Sequence, residues 1–91
     1  MIKKYVVKLT ATHLPSNQES FGYVKSIDGS ILVNGQENGH SFYAKQRAVQ
    51  VGDLAKHQLI RSNRGYDNIK IDIEPIIVRF KYDKEYLKIG D

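Results

Sequence analysis

The chain of 91 residues carries a net charge of +4, a hydrophobic share of 41% and a charged share of 26%. That length fits one small domain, and six tyrosines with three phenylalanines make it too apolar for a disordered chain. With no cysteine, a disulfide framework, a thiolate metal site and a cysteine nucleophile are all excluded.

Residues 3–10 alternate, with Tyr5, Val7 and Leu9 on one face and Lys4 and Lys8 on the other, which predicts a half-buried strand. Lys8 also interrupts the opening apolar stretch before it reaches the roughly 7–15 residues of a secretory signal. The longest uncharged apolar run elsewhere, Ile76-Ile77-Val78, falls far short of the roughly 20 residues that cross a bilayer. The expectation is a soluble, cytoplasmic protein with no membrane partner.

Residues 13–20 contain Pro15, Ser16 and Asn17 and read as a loop. Phe21 to Ile27 reads as a second strand, Asp28-Gly29 as a two-residue type I′ hairpin turn, and Ser30 to Val33 as the return strand. Asn34-Gly35 and Asn38-Gly39 make the next stretch a turn cluster.

From Ser41 the period changes. Ser41 is a candidate N-cap, and Ala44, Ala48, Val51, Ala55 and Leu59 follow at helical spacing. At about 100° per residue these five lie within about 80° of one another, which predicts a helix over 42–61 with one apolar stripe. Val49 and Ile60 lie off that stripe. Gly52 costs about 1 kcal/mol against alanine in a helix interior. It has two readings: a missing side chain that lets the helix approach a sheet closely, or a break with Asp53 capping a second helix.

Ser62 to Gly65 ends the helix, and Asn68 to Glu74 is the clearest strand, with Ile69, Ile71 and Ile73 on one face. Lys70, Asp72 and Glu74 share the other face, which reads as solvated. Pro75 marks an edge, a bulge or a strand end, and the apolar positions change parity after it, as a bulge or a fresh strand would produce. Residues 76–82 are the long β-prone segment that follows, and residues 83–91 are a tail or a short last strand.

The predicted fold is α+β: a two-layer sandwich, with a mostly antiparallel sheet of four or five strands in the order β-β-β-α-β-β. The single helix covers one face of that sheet. Residues 1–82 form one domain.

Chemistry is sparse. His13, His40 and His57 are spread over two loops and a helix, with no ligand spacing between them, so no metal is expected. Gly29 to Gly35 has the glycine spacing of a phosphate loop, but Gln36-Glu37 stand where Lys-Ser/Thr is required. No nucleophile elbow and no carboxylate pair across a cleft is indicated, so no catalytic residue, no cofactor and no enzymatic activity are expected.

Charge offers more. Residues 41–65 carry Lys45, Arg47, Lys56, Arg61 and Arg64 against Asp53 alone, a local +4 that equals the whole net charge. These five, with Tyr23, Tyr43 and Tyr66 as stacking platforms, are the candidate contacts to RNA or single-stranded DNA. On a helical wheel Lys45 and Lys56 lie about 160–200° from Arg47, so a solvated helix face is the plainer account. The competing surface is a sheet edge at 76–82, where Ile77, Arg79 and Lys81 would meet a partner strand or a second copy in a homodimer.

The opening Lys3-Lys4-Tyr5-Val6-Val7-Lys8-Leu9, the strand Gly22-Tyr23-Val24, the alanine-rich helix from Phe42 to Leu59 and the closing strand Ile69 to Glu74 form a layout over residues 3–74. That layout resembles the small accessory proteins of phage and prophage early regions in Gram-positive bacteria. The resemblance implies an intracellular, non-enzymatic protein that binds a host protein and inhibits or redirects it. The expected function is therefore protein–protein contact, with nucleic-acid binding as the alternative.

Overall fold

A computed structural model describes residues 2–78. Five strands, one α-helix and a single 3-10 turn (Gln36–Asn38) occur in it: β1 (Ile2–His13), β2 (Gln18–Val24), β3 (Leu32–Val33), β4 (Ser41–Phe42), α1 (Lys45–Arg61) and β5 (Tyr66–Val78). All strand pairs are antiparallel, and the sheet curls into a half-barrel against which α1 packs. The fold is α+β, as the patterning predicts.

β1 is the hub. On one side it pairs with β5 along its length, from Ile2 opposite Val78 to His13 opposite Tyr66. On its other side the C-terminal half pairs with β2, as in Leu9 opposite Gly22, and Tyr5 and Val6 pair with Phe42 and Ser41 of β4. β3 pairs with the end of β2.

Four of the five predicted stripe residues pack as their spacing predicts, while Ala44 is exposed and lies just outside the helix. Ala48, Val51 and Ala55 are buried, and Leu59 packs beside them against Val7, Leu9, Val24 and Phe42. Gly52 lies inside one unbroken helix. A Cβ there would stand 2.8 Å from Ile71 Cγ2 and 3.3 Å from Val7 Cγ1. The close-approach reading of Gly52 is therefore the right one, and Asp53 caps nothing.

Four expectations are corrected. The helix starts at Lys45, not 42, because Ser41 and Phe42 are taken by the β1 ladder, where Phe42 buries its ring. Ser41 is thus not the N-cap. Ala44 holds that position, with no side-chain cap and no acidic residue in the first turn.

Second, half of residues 13–20 are strand, and the loop is only the four residues between His13 and Gln18. Leu14 N–H donates to Gly65 O at 2.8 Å, and Asn17 takes the left-handed conformation that closes the turn.

Third, Asp28-Gly29 is not a two-residue turn. Gly29 has φ +76° but Asp28 does not have positive φ, and Gly29 N–H donates to Ser26 O at 3.1 Å. The loop spans 25–31 because side chains build it. Asp28 Oδ1 accepts from Ser30 Oγ (2.6 Å) and Ser30 N–H (3.0 Å), while Ser26 Oγ accepts from Ile31 N–H at 2.9 Å. The bonds to the Asp28 carboxylate, that from Ser30 Oγ first, lower its pKa from 3.8 to about 2. The support they give the folded loop is complete above the ordinary carboxylate value and fades as pH falls toward about 2.

Fourth, of the three readings of Pro75 only the edge holds among the described residues: it neither ends a strand nor sits in a bulge. The register between β1 and β5 is unbroken from Lys70 to Val78, with Pro75 opposite Tyr5. Proline is tolerated there because β5 has only one neighbour among the described residues, β1. The register shift lies instead at Thr10/Thr12, next to Asn68 with φ 52°. One strand therefore follows the helix among the described residues, and the order is β-β-β-β-α-β. The apolar change of parity is real but turns no backbone. It places Ile76 and Val78 on the sheet face away from the helix, and leaves Ile77 64% exposed on the helix side.

Candidate functional site

The chain presents three surfaces with chemistry in them: the face of the sheet away from α1, the flanks of α1, and the outer edge of β5.

On the sheet face away from the helix, strict alternation along β1 places Lys4, Val6 and Lys8 together. Val6 is fully buried although α1 lies on the other side of the sheet. Its cover comes from Tyr23, which pairs with Lys8 in β2 and donates its hydroxyl to Glu74 Oε1 in β5 at 2.7 Å. Because Glu74 pairs with Val6, the phenol must cross β1 beside Val6 to reach it. Gln36 Nε2 donates to the same carboxylate oxygen at 3.1 Å, and Gly39 fits against Tyr23 Cβ, where an added Cβ would stand 3.0 Å away. The 34–40 segment thus lies over this face.

Tyr23 is only 7% exposed and so offers no face on which a base could stack, which corrects its place among the nucleic-acid contacts. Glu74 is likewise not simply solvated. Its hydrogen bond with Tyr23, followed by burial and by the charges of Glu74, Glu37 and Asp72, raises the Tyr23 pKa from 10.0 to about 12. A proton held more tightly when folded means that this contribution is complete below about 10 and is lost as pH rises to about 12. Tyr23→Phe is expected to cost about 1 kcal/mol at neutral pH, the usual net worth of such a bond. It should also flatten the fall in stability between those two pH values. Urea unfolding of both chains across that range measures this, and an unchanged slope would show that the bond is absent in solution.

The basic side chains of the helix do not converge. Lys45 and Lys56 lie on one flank of α1 and Arg47 and Arg61 on the other, with Asp53 on the exposed face between them. Arg64, beyond the helix, borders a hollow of 210 Å³ lined by Leu9, Ala11, Gly22, Leu32, Leu59 and Tyr66. The hollow exists because Gly22 faces Leu9 with no side chain. Tyr66 is half-buried against the ring of His13, at 5.2 Å between centroids. Tyr43 is the tyrosine that matches its sequence reading: it is 69% exposed, with Lys4 Nζ 4.2 Å from its ring centre. His40 and Arg47 line the same shallow hollow as Tyr43. The pairing of Lys4 with Tyr43 has no signal in the sequence, because β4 sets it and β4 is two residues long.

The histidines stay apart. His13 Nδ1 meets Ser16 Oγ at 2.9 Å, His40 packs edge-on against Phe42, and His57 Nδ1 meets the main-chain oxygen of Asp53 at 2.7 Å. Among the described residues no group of three or more metal-ligating side chains forms, and no helix is long and apolar enough to cross a membrane.

The outer edge of β5 is the remaining surface. β5 is 13 residues long and hydrogen-bonds to β1 alone, so among the described residues no strand takes its other side. The odd positions Ile69, Ile71 and Ile73 face the helix, and Lys70 and Asp72 are exposed on the opposite face. Of the candidate edge residues, Ile77 lies on this strand, while Arg79 and Lys81 lie outside the described residues. The class defined by these features is a small α+β half-barrel whose long strand β5 lies at an open edge of the sheet among the described residues. No family model, curated protein or solved structure matches the chain.

Proposed function

We propose that this is a non-enzymatic binding protein, of the kind its phage-like layout implies, that engages a protein partner by adding a strand to the outer edge of β5. One observation carries the reading: among the described residues, a 13-residue strand is paired on one side only. Unpaired N–H and C=O groups along such an edge are a template for another strand, and natural edges are usually shortened, bulged or covered to prevent this. Within β5 the protection comes from the charges of Asp67, Lys70, Asp72 and Glu74, from the irregular backbone at Asn68 and from Pro75.

The test is capture from nuclease-treated extract of the producing cell, with the wild-type chain and an Ile77→Lys variant as baits. Ile77 is exposed, so the substitution leaves the core intact. The expected result is one protein recovered in stoichiometric amount by the wild type and lost by Ile77→Lys. Recovery indifferent to Ile77 would remove the edge from the account.

A second reading, RNA or single-stranded DNA binding, draws on the exposed Tyr43 under Lys4, with Arg47 beside it. An aromatic face with cations around it suits an unpaired base and its phosphate. Loss of all recovered material on nuclease treatment would favour this reading over the first.

A further inference from the structure

Resting on the reading of β5 as a strand-adding edge, we infer that the strand it takes is β5 of a second copy of this chain, laid antiparallel about Ile71. The stretch whose chemistry can match itself is bounded at both ends, and it lies apart from Ile77, which stands beyond Pro75 where a strand of a different protein would be added. Asn68 has φ 52°, outside the extended region, and Pro75 has no N–H. Between them lies Ile69-Lys70-Ile71-Asp72-Ile73, whose chemistry is self-complementary.

In an antiparallel pair centred on Ile71, Ile69 stands opposite the second copy's Ile73 and Ile71 opposite its own counterpart. Lys70 stands opposite the second copy's Asp72, and the two-fold axis repeats that ion pair. Both charges are exposed on the sheet face away from the helix, so the partners meet without burying either. Directly opposed unlike charges stabilise a ladder and like charges destabilise it.

Neighbouring registers fail on that rule. An axis at Lys70 opposes two lysines. An axis at Asp72 opposes two aspartates and sets Ile69 against Pro75; the Glu74 it brings to Lys70 already accepts from Tyr23 and Gln36. An axis at Ile73 sets Asp72 against Glu74 and Ile71 against Pro75. The register about Ile71 alone matches every position, and it yields a closed two-fold dimer with both helices on the same side of one continuous sheet.

Light scattering or sedimentation of the full chain at several concentrations and low salt tests this directly. The wild type is expected to dimerise with concentration. Lys70→Glu and Asp72→Lys should each weaken the dimer about tenfold or more, since each turns two attractive pairs into two repulsive ones. An equimolar mixture of the two variants should dimerise. In the mixed pair the introduced glutamate of one chain faces the introduced lysine of the other, and the unchanged Asp72 faces the unchanged Lys70. The double exchange Lys70→Asp with Asp72→Lys should also dimerise as the wild type does.

Asp72 stands opposite Lys8 within the chain, so thermal unfolding of each variant checks that it folds. Lys70 faces Thr10, which leaves Lys70→Glu as the milder arm. A monomeric wild type, a dimer indifferent to the single reversals, or no recovery in the mixture would overturn the inference. If Ile77-dependent capture recovers a different protein while the chain stays monomeric, the inference fails and the edge reading stands. If capture ignores Ile77 as well, both fail.

Discussion

Gly29→Ala is expected to destabilise the chain by about 3 kcal/mol, read as a shift in the urea midpoint at constant slope. About 1–2 kcal/mol comes from placing a side chain at φ +76°. The remainder comes from the contact: the new Cβ would sit 2.6 Å from Ala55 N and 2.9 Å from Ala55 Cα. Those atoms belong to the helix backbone and cannot turn aside. The 25–31 loop must lift instead, which breaks the hydrogen bond from Gln58 Nε2 to Asp28 O at 2.6 Å. Gly29→Asn separates the two contributions, since asparagine tolerates positive φ but carries the same Cβ. It should cost only the contact's share, about 1–2 kcal/mol. A loss well below about 1 kcal/mol for Gly29→Asn would show that the loop does not rest on the helix.

Gly52 tests the other close approach, and there two effects oppose each other. Alanine at an interior helix position gains about 1 kcal/mol over glycine. Against that, the Cβ meets Ile71 Cγ2 at 2.8 Å and Val7 Cγ1 at 3.3 Å, and both neighbours are β-branched with little rotamer freedom. Overpacking of this kind costs about 1–3 kcal/mol, so Gly52→Ala should be destabilising by about 1 kcal/mol net. Gly52→Val adds bulk and loses propensity, and about 3 kcal/mol is expected. Ile71→Ala removes the nearer obstacle. In that background Gly52→Ala should cost less than alone, a coupling measurable by a double-mutant cycle. Gly52→Ala stabilising the wild-type chain would mean that helix and sheet stand further apart than this packing requires.

Both glycines show what the sequence reveals and what it hides. The stripe Ala48, Val51, Ala55, Leu59 and the role of Gly52 are legible because helical period and residue size are local signals. The alternation of Ile69, Ile71 and Ile73 is legible for the same reason. Gly29 reads as the second half of a hairpin turn, because Asp-Gly has that local preference. Its contact with Ala55 is a tertiary fact with no local trace.

Ser41 misleads for a related reason: a good capping residue is captured by a strand partner 35 positions upstream, Val6. Pro75 keeps three readings in the sequence, edge, bulge or strand end, because local signals do not say which strands lie at an edge; the edge is the one that holds among the described residues. Tyr23 reads as an exposed aromatic, since its acceptor Glu74 lies 51 residues away. A free sheet edge is legible as a kind of surface, but the sequence points to residues 76–82 and not to the self-complementary stretch before Pro75.

The position of β1 at the hub of the sheet has a consequence for the order of events during synthesis. The strand made first pairs along its whole length with the strand made last among those described, so Ile2 meets Val78 only after the helix and every loop between them have been translated. A ladder closed by such distant residues forms slowly compared with helical contacts. Until then the nascent chain holds a β-prone ribbon with one side bare, and the interval in which a chaperone or a neighbouring polypeptide can seize it lasts as long as the ribosome takes to reach β5.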